Sequence, residues 1–136
     1  MKSYTDITQS KKLAEIQPIE SADMYWLNWH IDSTESKYEV FVVDKSDKYI
    51  NFFNSYTVAV DNKEIIPCWS LSALLNILPH CIDDRYDLVL GKLSDDTGWY
   101  VCYDDIDHFT RFYVTQSDLI DACIEMIVWL KENEKL

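Results

Sequence analysis

The amino-acid sequence predicts one α+β domain over residues 1–136, in which an antiparallel β-sheet packs against a short central helix and a long C-terminal helix. Short runs of β-branched and aromatic residues, separated by polar connections, indicate hairpins and a three-stranded meander. Two segments that carry apolar residues at helical spacing indicate the helices. No repeat or low-complexity linker suggests a domain boundary, and a chain of 136 residues is long enough to bury a core.

The first helix is predicted over residues 8–16. Thr8 is its candidate N-cap and Leu13 lies on its apolar face. Pro18 stops the helix because proline has no backbone N–H to donate. One further helical turn is expected over residues 19–23, before the sheet begins.

The next segment, residues 24–31, predicts a strand with one consistently apolar face. Tyr25, Leu27 and Trp29 alternate with residues of the opposite face, which include Trp26, and a period of two is the signature of a strand. Further strands are predicted at four short runs rich in β-branched and aromatic residues. These runs are residues 38–43, 49–53, 56–60 and 64–66.

The best-defined helix is predicted over residues 71–78. Ser70 is its N-cap, because a serine hydroxyl can accept a hydrogen bond from an N–H of the first turn. Trp69 before the cap and Leu74 at the fourth helical position have the spacing of a hydrophobic staple. Pro79 ends the helix.

The second half of the chain predicts a meander followed by the last helix. Residues 88–93, 99–103 and 109–114 are its three strands, joined by short Asp-rich connections. Ser117 is the candidate N-cap of the last helix, which runs to about Glu132. The apolar stripe of this helix is broad, so most of its circumference is expected to pack on the sheet.

The charge of the chain excludes one class of function. The formal net charge is −12, and residues 83–125, with 11 acidic and 3 basic side chains, hold −8 of it. A surface of this sign repels a phosphate backbone, so direct nucleic-acid binding is not expected. The acidic excess has two interpretations, which are solubility alone and a face directed at a basic partner.

The remaining composition indicates a cytoplasmic protein that makes no membrane contact. The N-terminus lacks the apolar core of an export signal, and no apolar run reaches the length of a membrane-spanning helix. Gly91 and Gly98 are the only glycines, so the tight turns are expected to rely on Asp, Asn and Ser, which tolerate left-handed backbone.

No catalytic, cofactor-binding or metal site is predicted. Phosphate-binding glycine motifs are absent, and the three histidines have no spacing that fixes a metal: His30, His80 and His108. The four cysteines stand in or beside apolar runs, which is typical of reduced, buried thiols: Cys68, Cys81, Cys102 and Cys123. A small hydrolase that assembles a cysteine and a histidine from distant segments is the alternative function.

Seven residues are candidate partner contacts. Exposed aromatic residues are over-represented at protein interfaces, and acidic clusters attract basic partners. The same residues have a plainer interpretation as core aromatics and as solvated hairpin turns. The aspartates also lack the spacing of a calcium loop. The candidates are Trp26, Trp69, Asp95, Asp96, Asp104, Asp105 and Asp107.

Three blocks of sequence carry a resemblance to a known family. The first is Ser21 to Tyr25. The second is Ile66-Pro67 with Trp69 to Leu75 and Leu78-Pro79, and the third is Asp121 to Met126 with Trp129-Leu130. In these blocks the chain resembles a family of small, uncharacterised proteins encoded by phages, prophages and related mobile elements of gut bacteria. The resemblance implies no catalytic residue and no cofactor, since the family supplies none.

Together these observations predict a non-enzymatic accessory protein of a phage or mobile element that acts through contacts with a host or phage protein. A narrower version is an anti-defence inhibitor whose acidic face imitates nucleic acid and whose partner is basic. A third interpretation is self-association through an edge strand or the broad last helix, so the oligomeric state stays open.

Overall fold

The computed structural model describes residues 1–29, 37–42 and 63–136. Its helices are α1 (Ile7–Ile16), α2 (Leu71–Ile77) and α3 (Leu119–Glu132). A single 3-10 turn, Ile19–Ser21, follows α1. The strands are β1 (Met24–Trp29), β2 (Lys37–Val42), β3 (Lys63–Cys68), β4 (Cys81–Ile82), β5 (Tyr86–Lys92), β6 (Trp99–Asp104) and β7 (Thr110–Gln116).

The strands form two antiparallel sheets, which confirms the predicted α+β class. One sheet has three strands in the order β2-β1-β3, and the other has four strands in the order β4-β5-β6-β7. The chain divides into two compact units, one made of Tyr4–Ala73 and the other of Met1–Ser3 with Leu74–Leu136. The division falls inside α2. The expectation of a single domain over residues 1–136 stays a prediction.

In the unit with the three-stranded sheet, α1 begins one residue earlier than predicted. Its N-cap is Asp6, so the prediction of Thr8 was wrong. The Asp6 side chain accepts the N–H of Gln9 at 2.8 Å, and the Gln9 side chain accepts the N–H of Asp6 at 3.0 Å. This reciprocal pair is a capping box, which satisfies two backbone donors and therefore outcompetes a single hydroxyl.

The alternation of β1 is confirmed within the described residues. Leu27 and Ile65 are buried together, and Ile19, Tyr25 and Phe41 pack against them. The rings of Tyr25 and Phe41 stack with centroids 5.3 Å apart. The strands predicted over residues 49–53 and 56–60 lie outside the described residues, as does His30.

The start of α2 follows the prediction. The Ser70 hydroxyl accepts the N–H of Ala73 at 3.2 Å, so Ser70 is the N-cap. Asp23 fixes this cap, since one carboxylate oxygen accepts the N–H of Ser70 at 2.8 Å and the other accepts its hydroxyl proton. Trp69 and Leu74, the residues of the predicted staple, are fully buried.

In the unit with the four-stranded sheet, the predicted meander is confirmed with small shifts of its ends. The sequence did not reveal β4, which is only two residues long and pairs with the start of β5. Residues 83–85 join these two strands. The N–H of Arg85 donates to the carbonyl of Ile82 at 3.2 Å, and the two central residues of this turn, Asp83 and Asp84, have φ angles of 55° and 52°. Positive φ at both central residues is the signature of a type I′ hairpin turn, which usually uses glycine.

Left-handed backbone in the described chain comes from residues other than glycine, as the sequence predicted. Neither glycine has a positive φ; Gly91 lies under the ring of Tyr100, and a Cβ on Gly98 would come within 2.5 Å of a backbone oxygen. Both glycines are therefore used for close approach. The residues with positive φ are Asp83, Asp84, Asp96, His108 and Glu134.

The last helix, α3, packs on one face of the four-stranded sheet. Its N-cap is Asp118, whose side chain accepts the N–H of Ile120 at 3.0 Å, so the prediction of Ser117 was wrong by one residue. The ring of Trp129 stacks on Phe112 of β7 at 4.5 Å. The broad stripe is confirmed, because eight of the helix residues are buried. No helix among the described residues is long and apolar enough to cross a membrane.

Candidate functional site

The two faces of the four-stranded sheet have different surroundings. Val101, Tyr103 and Val114 lie on the face that α3 covers, and all three are buried. Residues alternate across a strand, so Tyr100 and Tyr113 lie on the opposite, outer face. Their rings stack with centroids 5.8 Å apart, and Tyr113 is 52% exposed. The outer face therefore presents aromatic surface to solvent.

The predicted acidic residues do not form one patch. Asp95 and Asp96 lie in the loop of residues 93–98, which joins β5 to β6. Asp105 and Asp107 lie in the loop of residues 105–109, which joins β6 to β7. The loops stand at opposite ends of β6, whose six residues span about 17 Å at the usual rise of a strand. The acidic charge is thus divided between two ends of the sheet.

The 93–98 loop is a local, solvated turn. One carboxylate oxygen of Asp95 accepts both the N–H of Thr97 at 3.1 Å and its hydroxyl proton, with an O···O distance of 2.6 Å. The hydroxyl bond from Thr97 is the main cause that lowers the pKa of Asp95. Asp96 pairs with Lys92 at 3.1 Å on the open surface. Each of these pairs joins residues no more than four apart along the chain.

The 105–109 loop is organised around one buried carboxylate. Asp105 is only 6% exposed. Its Oδ2 accepts two hydrogen bonds from Arg85, from Nε at 3.1 Å and from Nη2 at 2.8 Å. Its Oδ1 accepts the backbone N–H groups of Asp107 at 2.9 Å and Phe109 at 2.8 Å. Each oxygen of this buried carboxylate therefore accepts two hydrogen bonds.

The pKa of Asp105 reflects this environment. Burial acts to raise it, but the hydrogen bonds from the N–H of Phe109, from Arg85 and from the N–H of Asp107 outweigh burial. The pKa of the carboxyl therefore lies below its ordinary value. The side chain is held as a carboxylate at neutral pH, which is the form that accepts all four hydrogen bonds.

The backbone of the 105–109 loop is closed on itself. The N–H of Asp105 donates to the carbonyl of Phe109 at 3.0 Å, and the N–H of His108 donates to the carbonyl of Asp105 at 3.0 Å. His108 has a φ of 63°. This fixed backbone directs two apolar side chains into solvent, since Ile106 is 92% exposed and Phe109 is 64% exposed.

The sequence did not reveal Ile106 and Phe109 as site residues. Ile106 was predicted in a polar connection, and Phe109 at the start of a strand. The available signal was an apolar residue on each side of Asp107 and His108, within an otherwise polar hairpin connection. Apolar residues in an exposed connection call for an explanation that turn formation does not supply.

A pair of carboxylates adjoins this loop on the outer face. Asp104, the last residue of β6, is directly opposite Asp87 of β5. One oxygen of Asp104 accepts the hydroxyl proton of Thr110 at 2.7 Å and the thiol proton of Cys102 at 3.7 Å. Like charges placed opposite each other on neighbouring strands repel, so this pair costs the isolated protein some stability.

The two tryptophan candidates differ in accessibility. Trp69 has no exposed surface, and its indole N–H donates to the hydroxyl of Ser21 at 2.9 Å. A fully buried ring offers nothing to a partner, so we do not retain Trp69 as a contact residue. Trp26 is half-buried, with its ring edge-to-face with Tyr4 at 5.6 Å and its indole N–H bonded to the carbonyl of Thr5 at 3.1 Å.

The cysteines are poorly suited to nucleophilic chemistry. Burial is the main cause that raises the pKa of all four thiols, to about 11 for Cys102 and about 12 for Cys123. A thiol with a raised pKa is a weak nucleophile at neutral pH. Over the described residues the thiols of Cys68, Cys81 and Cys102 bond to oxygen atoms, and no hydrogen bond joins any of the four thiols to a histidine. That part of the chain also holds no cluster of three or more metal-ligating side chains.

Comparison of the chain with protein-family models, with curated proteins and with solved structures found no match. The candidate site therefore stands on the geometry of the described residues. That geometry brings Asp104, Asp105 and Asp107 together with Ile106 and Phe109 at one end of the four-stranded sheet. Asp95 and Asp96 lie at the other end of this sheet, and Trp26 and Trp69 belong to the other unit.

Proposed function

We propose that this chain is a non-enzymatic accessory protein of a phage or mobile element that acts by binding another protein. The observation that carries the proposal is the 105–109 loop, which holds Ile106 and Phe109 in solvent on a fixed backbone. Full burial of one such side chain is worth about 1.5–3 kcal/mol. Two such side chains in one five-residue loop offer a partner a substantial part of a binding free energy.

The fixed conformation of the loop supports binding. Ordering a flexible loop on association costs conformational entropy, which reduces affinity. This loop is already ordered in the free protein. The Asp105 carboxylate holds it, together with two backbone hydrogen bonds between Asp105, His108 and Phe109. The loop can therefore present Ile106 and Phe109 to a partner with little further loss of entropy.

The chemistry of the thiols supports binding over the alternative of a cysteine-dependent hydrolase. A nucleophilic cysteine needs a lowered pKa or an adjacent base. The four thiols have raised pKa values, and within the described chain no thiol has a histidine as a hydrogen-bond partner. The origin in a phage or mobile element rests on the sequence resemblance alone and is part of the proposal.

The acidic charge is divided between two ends of the sheet, which favours binding through the apolar loop over imitation of nucleic acid. A duplex presents phosphates in continuous rows. Here the carboxylates are split between two ends of the sheet, and several are engaged by Arg85, Lys92 and Lys135. We therefore propose contact through the apolar loop, with charge in a supporting role.

An affinity capture from a lysate of a gut bacterium tests the proposal. We expect the tagged, full-length protein to retain one or a few proteins at moderate salt, because the loop is preformed. A variant with Ile106→Ser and Phe109→Ser should lose them. The matched control is Val42→Ser, which alters an exposed apolar residue in the other unit. Capture of nothing above background, together with a measured hydrolase activity, would falsify the proposal.

A further inference from the structure

We infer that the surface which receives the 105–109 loop is an apolar cleft of a partner protein, bordered by lysine or arginine side chains. This inference rests on the proposed function and adds the chemistry of the partner. It joins two features of one end of the four-stranded sheet, namely the exposed apolar pair Ile106 and Phe109 and the carboxylates around them.

The apolar pair defines the centre of the contact. Ile106 and Phe109 are separated along the chain by Asp107 and His108, both of which are exposed. Interface hot spots are enriched in aromatic residues that enter fully desolvated pockets. A concave, apolar surface desolvates such protruding side chains more completely than a flat one, so a cleft is the favoured partner surface.

The carboxylates define the border of the cleft. Asp83 and Asp84 lie in the β4–β5 turn, which Arg85 ties to the loop through its bonds to Asp105. Asp87 and Asp104 face each other on the outer face beside the loop. Asp107 lies within the loop itself. The contact surface is therefore an apolar centre with an acidic rim.

Three basic side chains at this end are engaged within the unit. Arg85 binds Asp105, Lys135 binds Asp83, and the guanidinium of Arg111 lies over the ring of Trp129. None of these three forms an ion pair with Asp87 or Asp104. A lysine or arginine from a partner, placed against that pair, removes the repulsion and gains attraction, which favours a basic rim on the cleft.

The negative charge of this surface disfavours two other binding partners, a membrane and a nucleic acid. Anionic headgroups of a membrane and the phosphates of a nucleic acid would both be repelled by these carboxylates. A protein cleft can combine apolar walls with separate basic side chains, so it matches both features. A membrane is retained only as an outcome of the test.

Selection from a random peptide library displayed on yeast tests the inference, with the full-length protein as bait. We expect the enriched peptides to combine apolar residues with lysine or arginine. A synthetic copy of the best peptide should bind the variant with Ile106→Ser and Phe109→Ser at least roughly tenfold more weakly, the loss expected of a hot spot. Raising the salt concentration should weaken its binding to the wild type.

Charge variants separate the rim from the centre. The variant with Asp87→Asn and Asp107→Asn should bind the peptide roughly threefold to tenfold more weakly, with a shallower salt dependence, because partly exposed charge pairs contribute modestly. Asp95→Asn, at the opposite end of β6, is the matched control and should leave both quantities unchanged.

Four outcomes overturn the inference. They are the absence of any enriched peptide, enrichment of peptides without basic residues, equal affinity for the loop variant and the wild type, and sedimentation of the protein with phosphatidylcholine vesicles through Ile106 and Phe109. The lysate capture described above distinguishes failure of this inference from failure of the proposed function. A lysate partner that the loop variant still retains leaves the binding function standing and removes the loop as its site.

Discussion

The 93–98 and 105–109 loops are both short, Asp-rich connections of the same strand, yet they use their carboxylates in different ways. Asp95 bonds to Thr97, two residues along the chain, and both are exposed. Asp105 bonds to Arg85, twenty residues away, and is nearly completely buried. In the 93–98 loop, water can replace the hydrogen bonds that the Asp95 carboxylate accepts. The 105–109 loop is joined to a second hairpin through Arg85.

The difference shows that burial, more than composition, decides what an aspartate contributes. Exposed charge pairs are screened by water and salt, and they contribute little to stability. A buried carboxylate must keep its partners, since loss of one partner leaves the others unsatisfied in a water-poor environment. Rigidity of the 105–109 loop, and with it the display of Ile106 and Phe109, thus depends on Asp105.

The largest difference in Tm is expected between two variants, one without the Asp105 carboxylate and one without the Asp95 carboxylate. Asp105→Ala leaves Arg85 and two backbone N–H groups without their acceptor, so we expect Tm to fall by roughly 5 °C or more. Asp95→Ala removes an exposed turn contact and should shift Tm by about 1 °C or less. Thermal unfolding followed by circular dichroism compares them. Equal shifts would remove the distinction between the loops.

Acid should remove the contribution of the Asp105 carboxylate to the stability of the folded protein. A carboxyl whose pKa is depressed in the folded state contributes stability above its unfolded pKa, about 3.9, and loses it as the pH falls through the folded value. The Tm difference between wild type and Asp105→Asn should therefore be full at neutral pH and shrink below about pH 4. Asp95→Asn should show the same direction with a smaller amplitude, because its pKa is also lowered but the group is exposed. A difference that grows in acid would contradict this assignment.

Local opening of the loop should depend on the geometry of Arg85. Arg85→Lys keeps the charge but cannot place two N–H donors on one oxygen, so the Asp105 carboxylate is held less firmly. We expect faster hydrogen exchange at the backbone N–H of Asp107 and of Phe109, with exchange at Thr97 unchanged, as measured by NMR. Unaltered exchange at all three would show that the loop is held by its backbone alone.

The smallest effect is expected from the ion pair of the other loop. Lys92 and Asp96 pair at 3.1 Å, and both side chains are largely exposed. Asp96→Asn removes this pair and leaves Lys92 over the ring of Trp99. It should therefore change the free energy of unfolding by about 0.5 kcal/mol or less, measured by urea titration. A larger loss would indicate that the 93–98 loop is also tied to the rest of its unit.

Much of the fold could be predicted from local patterns, because strands and helices of this chain follow their hydrophobic periods. The caps were less predictable: Asp6 and Asp118 each lie within two residues of the predicted cap, and neighbouring Thr8 and Ser117 have similar capping ability. Strand β4 was missed because two residues carry no period.

The candidate site was predicted only in part. Asp105 was among the candidate contacts, but its sequence neighbours Asp104 and Asp107 look the same, and only the position of Arg85 in a separate hairpin selects it for burial. Trp69 was a candidate contact whose plainer interpretation was a core residue, and burial of its ring beside Ser21 decides for the core. Such outcomes depend on tertiary contacts, which no single segment encodes.

The turns of this chain have a consequence for its acidity. Asp83, Asp84, Asp96 and Glu134 adopt the left-handed backbone that glycine usually supplies. A chain that makes its turns from acidic residues gains negative charge with each turn, whatever its partners are. Part of the acidity is therefore a by-product of turn construction. Asp87, Asp104 and Asp107 have no positive φ, so turn construction does not account for the charge beside the 105–109 loop.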